Sequence, residues 1–297
     1  MLFSRNATRS LSSALAAALA AISCDSAAVA PTVVIDGPNP SRAVAHAFGA
    51  WSTAVSIETT PGTDPEFNTP ALEGCPNISK DGKTFYMASN RPGSFGLDIW
   101  VSTRHHERDG WGNPVRLDTP VNAPPVAPPG VQVNDFCPSI TDDGHLFFFA
   151  SNRSYPDAYG NVPCGGDDLY VTHRRGDGTF DEPRNLGCAV NSAANEAGPF
   201  LIQEPGRGPV LYFSSFRTGG AVADAGPISG DSDLYSSEWH AGAYGPPQLV
   251  PGVNSASDDG QPSLRHDALE IYFYSTRPTS LGFADIFVAT RASAHDP

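Results

Sequence analysis

Hydrophobic positions along this chain fall in short runs separated by turn-forming residues. The runs TFYMAS (residues 84–89) and LFFFAS (residues 146–151) each follow an Asp-Gly pair. A Gly-rich loop and a second apolar run that opens with Asp come after them. Asp-Gly between apolar runs is a strong hairpin signal. Runs this short, bounded by turns, predict β-strands rather than helices.

The runs belong to a repeat that recurs four times at a nearly constant interval. A proline opens each unit, with spacings of 62, 61 and 63 residues: Pro76, Pro138, Pro199 and Pro262. An arginine closes the aromatic run of each unit, with spacings of 62, 64 and 60 residues: Arg91, Arg153, Arg217 and Arg277. Because two independent landmarks keep one period, the chain is a repeat protein.

Each unit is long enough for four short strands. The first follows the proline, the second is the aromatic run, the third begins with Asp, and the fourth lies in a Trp/Pro/Leu segment such as Trp111–Leu117. Four antiparallel strands repeated radially are the blades of a β-propeller. The sequence therefore predicts an all-β propeller with four blades of four antiparallel strands. Five blades are the alternative, if residues 31–50 contribute strands.

The last unit leaves no room for a fourth strand before the chain ends. The N-terminal stretch Trp51–Ile57 resembles that missing strand, and Asn68 follows it. The other units carry an asparagine at the corresponding place: Asn122, Asn191 and Asn254. An open sheet edge invites aggregation. We therefore expect the N-terminal strand to complete the last blade and close the propeller.

The N-terminus predicts export. Arg5 and Arg9 precede an apolar stretch, residues 11–22, that is too short to anchor in a bilayer, as in a signal peptide. The residues around Cys24 resemble a lipobox, so we favour a lipoprotein-type signal peptide over residues 1–23, with Cys24 as the lipid anchor. Ordinary cleavage near residue 30 is the alternative. A flexible linker is expected over residues 24–47 and the propeller domain over residues 48–297.

The cysteines agree with an oxidising compartment. Without Cys24 an even number remains, and none has the Cys-x-x-Cys spacing of a zinc or redox site. Cys164 opens a third strand and Cys188 follows the fourth strand of the same unit. Antiparallel neighbours bring those ends together, which predicts a disulfide. Cys75 and Cys137 hold one repeat position in adjacent units and are a second candidate pair, across the channel.

The charge of the chain excludes one class of partner. The formal net charge is −14, from 18 basic and 32 acidic residues, and there is no basic stripe. Such a surface repels nucleic acid and anionic lipid head groups. We therefore expect no nucleic-acid partner, membrane association only through the lipid anchor, and a monomer.

The repeat motifs P-x-x-S/T-x-D-G, S-N-R and D-[IL]-[YWF] resemble the TolB-type, WD40-like β-propeller repeats of bacterial envelope proteins. The resemblance covers residues 51–291, most of the mature chain. It implies a periplasmic or cell-surface lipoprotein, or a secreted protein. Members of this family include partner-binding periplasmic proteins, lipoproteins and a few carbohydrate-active enzymes, so the resemblance leaves the function open.

An acidic residue lies three positions before each repeat proline: Glu73, Asp135, Glu196 and Asp259. Because the first strands of the blades line a propeller's central channel, these acids are expected to ring one channel mouth. Opposed carboxylates there could bind a cation, a sugar or a cationic peptide. They could also act as a general acid and base, with Asp135 and Glu196 as the first candidates.

A structural role for the same acids is the interpretation that we favour. The repeat arginines lie on the same face, as do the aspartates that open the third strands: Asp98, Asp168, Asp233 and Asp285. An arginine flanked by two carboxylates in every blade would satisfy buried charge by pairing. A catalytic pair needs only one or two positions, so a fourfold occurrence favours a structural network.

The loops on that face vary most between units. Insertions occur at residues 123–130, 155–167 and 218–230. Binding sites on repeated scaffolds usually lie in such loops. The aromatic residues on the face could stack on a sugar ring or pack against the rim: Tyr155, Tyr159, Phe95 and Phe283.

The function predicted from these patterns is a binding or scaffold module of the bacterial envelope. It would present the loop-rich face to a protein or glycan partner. No catalytic or nucleotide-binding motif is present, and no cofactor is expected, although Asp231 and Asp233 could hold calcium. The alternative is a carbohydrate-active enzyme, a glycoside hydrolase or lyase, that uses the carboxylates at the channel mouth.

Overall fold

The computed structural model describes residues 55–124, 132–220, 228–280 and 283–293. Within these ranges the chain forms sixteen β-strands and one short 3-10 helix, Ile57–Thr59. The strands form four antiparallel sheets in chain order, one for each repeat. The predicted all-β propeller with four blades is thereby confirmed. The predicted signal peptide, lipid anchor and linker lie outside the described residues.

The strands of the four blades have the following bounds. Blade 1 contains β1 (Glu73–Ile78), β2 (Thr84–Ser89), β3 (Asp98–Thr103) and β4 (Val115–Arg116). Blade 2 contains β5 (Asp135–Ile140), β6 (Leu146–Ser151), β7 (Asp168–His173) and β8 (Arg184–Asn185). Blade 3 contains β9 (Glu196–Glu204), β10 (Gly208–Arg217), β11 (Ile228–His240), β12 (Ala243–Tyr244) and β13 (Gln248–Leu249). Blade 4 contains β14 (Asp259–Leu264), β15 (Glu270–Ser275) and β16 (Asp285–Thr290).

The first strand of every blade carries a bulge at the residue before the repeat proline. The pairing register shifts there in all four blades. Cys75, Cys137 and Gln261 hold this position with φ of 50°, 47° and 51°, and Gly198 holds it with φ of 60°. Positive φ is costly for residues other than glycine. Because the positive φ recurs at this position in all four blades, the bulge is a feature of the repeat rather than of one blade.

The aromatic second strands of blades 2 and 3 are buried on both faces because each lies between two neighbouring blades. Phe147 and Phe149 of β6 pack with Tyr86 of blade 1. Phe148, between them in sequence, points the other way and packs with Leu211 and Phe213 of blade 3. A third cluster joins blades 3 and 4. A nearly continuous apolar run is what a strand buried on both faces requires.

The expected closing strand is not found in the described residues. Val55 and Ser56 belong to no strand, Ile57 begins the 3-10 helix, and residues 51–54 lie outside the described part. Ile57 instead packs with Phe67 against blade 1, in a cluster with Phe85, Met87, Trp100 and Trp111. The physical reason is that this apolar side of blade 1 lacks a preceding blade in the chain.

One face of blade 4 has no cover within the described ranges. Ile286 of β16 is 75% exposed, whereas the residues at the same repeat position, Ile99, Leu169 and Leu234, are 0% exposed. Tyr272 on the same face is 43% exposed. In the other blades this face is buried by the next blade along the chain. Within the described ranges blade 4 therefore has three strands and leaves this face exposed.

No helix in the described residues has the length and apolar character needed to cross a membrane.

Candidate functional site

Each repeat arginine forms an ion pair with the acid of its own blade. The N–O distances are 3.1 Å for Arg91–Glu73, 2.8 Å for Arg153–Asp135, 3.1 Å for Arg217–Glu196 and 2.6 Å for Arg277–Asp259. The side chains of Asp135, Glu196 and Asp259 are fully buried, and that of Glu73 is 15% exposed. The four carboxylates are therefore paired within their own blades rather than free.

The arginines also hold the backbone of each blade together. In blade 2, Arg153 Nε donates to Ser151 Oγ at 3.1 Å, and its terminal nitrogens donate to the carbonyl oxygens of Pro120 and Val121. The guanidinium lies 5.1 Å from the ring centre of Phe149 and 5.3 Å from that of Tyr170. The other three arginines make the same serine contact and bond to the carbonyl oxygens of Phe67, Val190 and Val253. One side chain thus ties the incoming segment, the first strand and the second strand into one unit.

The carboxylates accept further hydrogen bonds from the segment that enters the blade and from the second strand. Asp135 accepts the backbone N–H of Ala123 at 2.7 Å. Glu196 accepts the N–H of Ser192 at 2.9 Å and the hydroxyl of Ser215 at 2.7 Å. Buried charge is tolerated when it is paired and hydrogen-bonded in this way.

The aspartates that open the third strands make different contacts from those expected. Asp98 pairs with Arg116 of β4, with Nε–Oδ2 at 2.6 Å, rather than with Arg91. Asp168 accepts the backbone N–H groups of Cys164 and Gly165 at 2.7 and 3.1 Å. Their role is to hold the end of the preceding loop on the third strand. Asp233 and Asp285 lie at the same ladder position, opposite the serines that contact the arginines.

The repeat asparagines connect one blade to the next. The amide of Asn122 bonds to both the N–H and the C=O of Ile99 at 2.8 Å. Asn191 bonds to Leu169 in the same way, and Asn254 bonds to Leu234. The bonds reach the third strand of the preceding blade. Asn68 bonds instead to Ser56 and Glu58 of the N-terminal segment.

The pKa of the Glu196 carboxyl group is raised. Its burial raises its pKa above the ordinary value of 4.5, while hydrogen bonds from Ser192 and Ser215 and the charge of Arg217 act in the opposite direction. A carboxyl group with a raised pKa has the property expected of a general acid.

A pH experiment tests this balance at Glu196. A raised carboxyl pKa contributes stability that is fully present below the unfolded-state pKa and is lost as the pH rises through the folded-state pKa. We therefore expect the free energy of unfolding of the wild type to fall relative to that of Glu196→Gln between about pH 4.5 and pH 7.5. Urea unfolding of both proteins at the two pH values measures the difference. A change of opposite sign would show that pairing with Arg217 outweighs burial.

Both cysteine pairs form disulfides. Cys164 and Cys188 have Cα atoms 5.5 Å apart and fix the long loop of blade 2. Cys75 and Cys137 join the bulges of adjacent first strands in blades 1 and 2. The Gln261 amide of blade 4 lies 3.3 Å from Cys75 Sγ. These residues bring three blades together at the bulges.

A charged cluster that sequence reasoning missed lies on the long hairpin of blade 3. Glu204 is buried and accepts hydrogen bonds from Tyr212, from Arg207 at 3.2 Å and from Arg291 at 2.9 Å. Glu204 holds the position of Asp81, Asp143 and Asp267 in the other repeats, and because those three aspartates are exposed turn residues, no pattern in the sequence indicated a buried cluster here. In the described part of the chain no three His, Cys, Asp or Glu side chains are placed to hold one metal ion.

The loop-rich face carries exposed aromatic residues and one small cavity. Tyr159 is 52% exposed, with the Arg184 guanidinium 4.6 Å from its ring centre. Phe95 is 52% exposed and Phe283 is 88% exposed. Tyr155 lines a cavity of about 230 Å³ on blade 2. The structure therefore places Tyr155 at a concave site and the other three aromatic residues on open surface.

Comparisons with known proteins give low similarity. No family model matches the chain. No curated protein matches either. Among solved structures, a putative TolB from Agrobacterium tumefaciens is 17% identical, with a TM-score of 0.39, covering 75% of this chain and 79% of that one. An α-L-arabinofuranosidase from Podospora anserina, in complex with cellotriose, is 10% identical, with a TM-score of 0.47 and coverages of 75% and 74%.

A third solved structure is similar to the same degree. An endo-arabinase from Bacteroides thetaiotaomicron is 16% identical, with a TM-score of 0.42, covering 73% of this chain and 74% of that one. The TolB-type resemblance is thus not singled out, since sugar-processing enzymes match equally. At these identities and TM-scores the similarities carry no argument about function.

Proposed function

We propose that this protein is an exported binding module of the cell envelope that presents its loop-rich face to a protein or glycan partner. The observation that carries the proposal is the contrast between two surfaces. The acids that precede the repeat prolines are paired with arginines of their own blades, whereas the loops of blade 2 expose Tyr159 and Val162 and enclose a cavity. Exposed apolar residues on a rigid, repeated scaffold are typical of a binding surface.

Export is part of the same proposal. Two disulfides are typical of proteins in oxidising compartments. The apolar N-terminal stretch and Cys24 support a lipid-anchored envelope protein, or a secreted one if cleavage falls near residue 30. We expect no nucleic-acid partner, because an acidic surface repels nucleic acid.

The test is binding to a glycan array and to purified envelope proteins. The mature protein is compared with a Tyr159→Ser, Val162→Ser double variant. We expect a partner for the wild type and loss of that partner in the variant, at an unchanged unfolding midpoint. Val115→Ser is the matched control, because Val115 is 62% exposed and Val162 is 59% exposed. A partner whose binding survives the double variant, or no partner at all, would count against the proposal.

A second candidate function is a carbohydrate-active enzyme that uses Asp135 and Glu196. The raised pKa of Glu196 favours it. Against it, both side chains are fully buried and bonded within their own blades. Activity on a panel of polysaccharides decides between the two functions. Turnover that disappears in Glu196→Gln would reverse the order of the candidates.

A further inference from the structure

A cavity of about 200 Å³ lies between blades 3 and 4, at the end of β16 that is remote from the loop-rich face. Its walls include Tyr212, Val253, Ile271, Ala289 and Arg291. Ala289 and Arg291 are only partly buried, so the cavity can be reached from solvent. We call it the blade-4 cavity. An apolar protein cavity of about 150 Å³ already holds a benzene ring, so the size fits one aromatic side chain.

The other three blades fill the corresponding place with an aromatic residue from their own fourth-strand segment. The ring centres lie 5.3 Å apart for Trp111 and Phe85 and 5.0 Å apart for Phe180 and Phe147, and Tyr244 packs against the cluster that contains Leu211. In blade 4 the position of Phe85, Phe147 and Leu211 is held by Ile271, which lines the cavity. The blade-4 cavity is therefore located where the other blades hold an aromatic ring.

The arginine of the cavity matches one that contacts such a ring. Arg104 of blade 1 holds the position of Arg291, and its guanidinium lies 4.1 Å from the ring centre of Trp111. Both arginines are anchored in the same way, since Arg104 Nε donates to the carbonyl oxygen of Gly82 at 2.7 Å and Arg291 Nε donates to that of Ala268 at 2.6 Å. The hydrogen bonds of a guanidinium lie in its plane, which leaves its face to stack on an aromatic ring.

The outer edge of β16 is the second feature of this site. In blades 1 and 2 a fourth strand of two residues pairs with the third strand at the positions that Phe287 and Val288 hold in β16. In the part of the chain that the structure describes, β16 pairs with β15 alone. Val55 and Ser56 are at the fourth-strand position of the N-terminal segment, and they belong to no strand. The backbone of β16 therefore offers an edge for an additional strand.

Blade 4 also differs at a residue that fixes the fourth strands of the other blades. There a hydroxyl of the third strand donates at 2.6 Å to the carbonyl oxygen of the residue after the aromatic one: Ser102 to Gly112, Thr172 to Asp181 and Ser237 to Gly245. Ala289 holds this position in blade 4 and has no hydroxyl. A strand added to β16 would lack this hydrogen bond, which favours a strand that binds reversibly.

We propose that blade 4 binds an extended segment of a partner protein, which adds antiparallel to β16 and places an aromatic side chain in the blade-4 cavity. The backbone of the segment pairs with Phe287 and Val288, and its ring stacks on the guanidinium of Arg291. In such strand addition the main-chain hydrogen bonds provide affinity and the side-chain pocket provides specificity. The inference goes beyond the proposed function, because this site lies apart from the loop-rich face.

The exposed face of blade 4 narrows the sequence of the partner segment. Leu117 follows Trp111 by six residues and packs with Ile99 between blades 1 and 2. Ile286 holds the position of Ile99 in blade 4 and is 75% exposed. We therefore expect the partner segment to carry an aliphatic residue six positions after its aromatic residue, where it covers Ile286.

The test uses the mature protein and a labelled synthetic peptide with the sequence of residues 111–122 of this chain, which has the expected pattern. Fluorescence anisotropy measures the Kd. We expect saturable binding of this peptide. A peptide with alanine in place of its tryptophan should bind about tenfold or more weakly, because the burial of an aromatic ring is lost.

Two substitutions at Ala289 should change the affinity in opposite directions. Ala289→Leu fills the cavity with a side chain and should abolish binding. Ala289→Ser supplies the hydroxyl that the other blades have and should tighten binding about two- to tenfold. The serine variant keeps the test decisive if Ala289→Leu lowers the unfolding midpoint. Arg291 is left unchanged, because it also pairs with the buried carboxylate of Glu204.

Four results would overturn the inference. Three of them are no binding of the peptide, equal affinity for the alanine peptide, and wild-type affinity in both Ala289 variants. The fourth is binding that appears only in Trp51→Ala, which would show that the N-terminal segment of the chain itself fills the cavity. The Tyr159→Ser, Val162→Ser variant should bind the peptide with wild-type affinity. Failure at blade 4 and failure of the proposed function are thereby distinguished.

Discussion

Replacing Arg153 with alanine should lower the free energy of unfolding by about 3–5 kcal/mol. The substitution leaves the carboxylate of Asp135 fully buried without its counter-ion. It also removes the donors to Ser151, Pro120 and Val121. At about 2–4 °C per kcal/mol for a chain of this size, the midpoint of thermal unfolding falls by about 6 °C or more.

The control for this experiment is Arg175→Ala. The Arg175 side chain is 59% exposed and pairs with Asp181 at the surface. Surface ion pairs contribute about 0–1 kcal/mol, so its midpoint should remain close to that of the wild type. Equal changes in the unfolding midpoint would show that Arg153 contributes no more to stability than a surface arginine does.

Loss of the Cys164–Cys188 disulfide is expected to have the next largest effect. The bridge joins residues 24 apart in the sequence, and the entropy of closing such a loop in the unfolded chain corresponds to about 3.5 kcal/mol. We expect the Cys164→Ser, Cys188→Ser variant to unfold about 7 °C or more below the wild type. Calorimetry without reductant measures the shift.

A reducing agent provides the internal comparison. It should lower the midpoint of the wild type further than the double substitution does, because the Cys75–Cys137 bridge, with a separation of 62, is lost as well. The expectation fails if the variant unfolds with the wild-type midpoint. It also fails if mass spectrometry finds Cys164 and Cys188 as free thiols in the native protein.

The blade count could be predicted because it depends on local patterns. Turn pairs and apolar runs recur with one period, and each run needs only its neighbours in sequence to form a hairpin. The fourth strands of blades 1 and 2 lie in the predicted Trp/Pro/Leu segments, and they are short. Pro114, Pro183 and Pro247 stand immediately before β4, β8 and β13, and each of these strands has two residues. Proline donates no ladder hydrogen bond, so pairing cannot extend past it.

The pairing of arginine with acid could be predicted from spacing, but its full geometry could not. The sequence placed Arg91 near two carboxylates, Glu73 and Asp98. In the structure Asp98 pairs instead with Arg116, because β4 places Arg116 next to β3. The carbonyl oxygens that the arginines also bind belong to residues with no chemical signature, such as Val121 and Val253. Only the fold brings them together.

The cavity that Tyr155 lines on blade 2 could not be predicted from the sequence for a similar reason. Tyr155 was recognised as a possible stacking residue because it lies in an insertion. Tyr170 has the position of a core aromatic in its repeat and is buried as one. The cavity is formed by segments that are separated in the sequence, within residues 119–124, 153–158 and 182–183.

The central claim is that the four acids that precede the repeat prolines act in blade architecture rather than at a reactive site. A double-mutant cycle on Asp135→Asn and Arg153→Ala, followed by urea unfolding at neutral pH, tests it most directly. We predict that each single substitution costs about 3–5 kcal/mol. The double variant should lose less than the sum, with a coupling energy of about 2 kcal/mol or more. Additive effects, or an Asp135→Asn variant as stable as the wild type, would contradict this structural role. The four acids would then again be candidates for a reactive site.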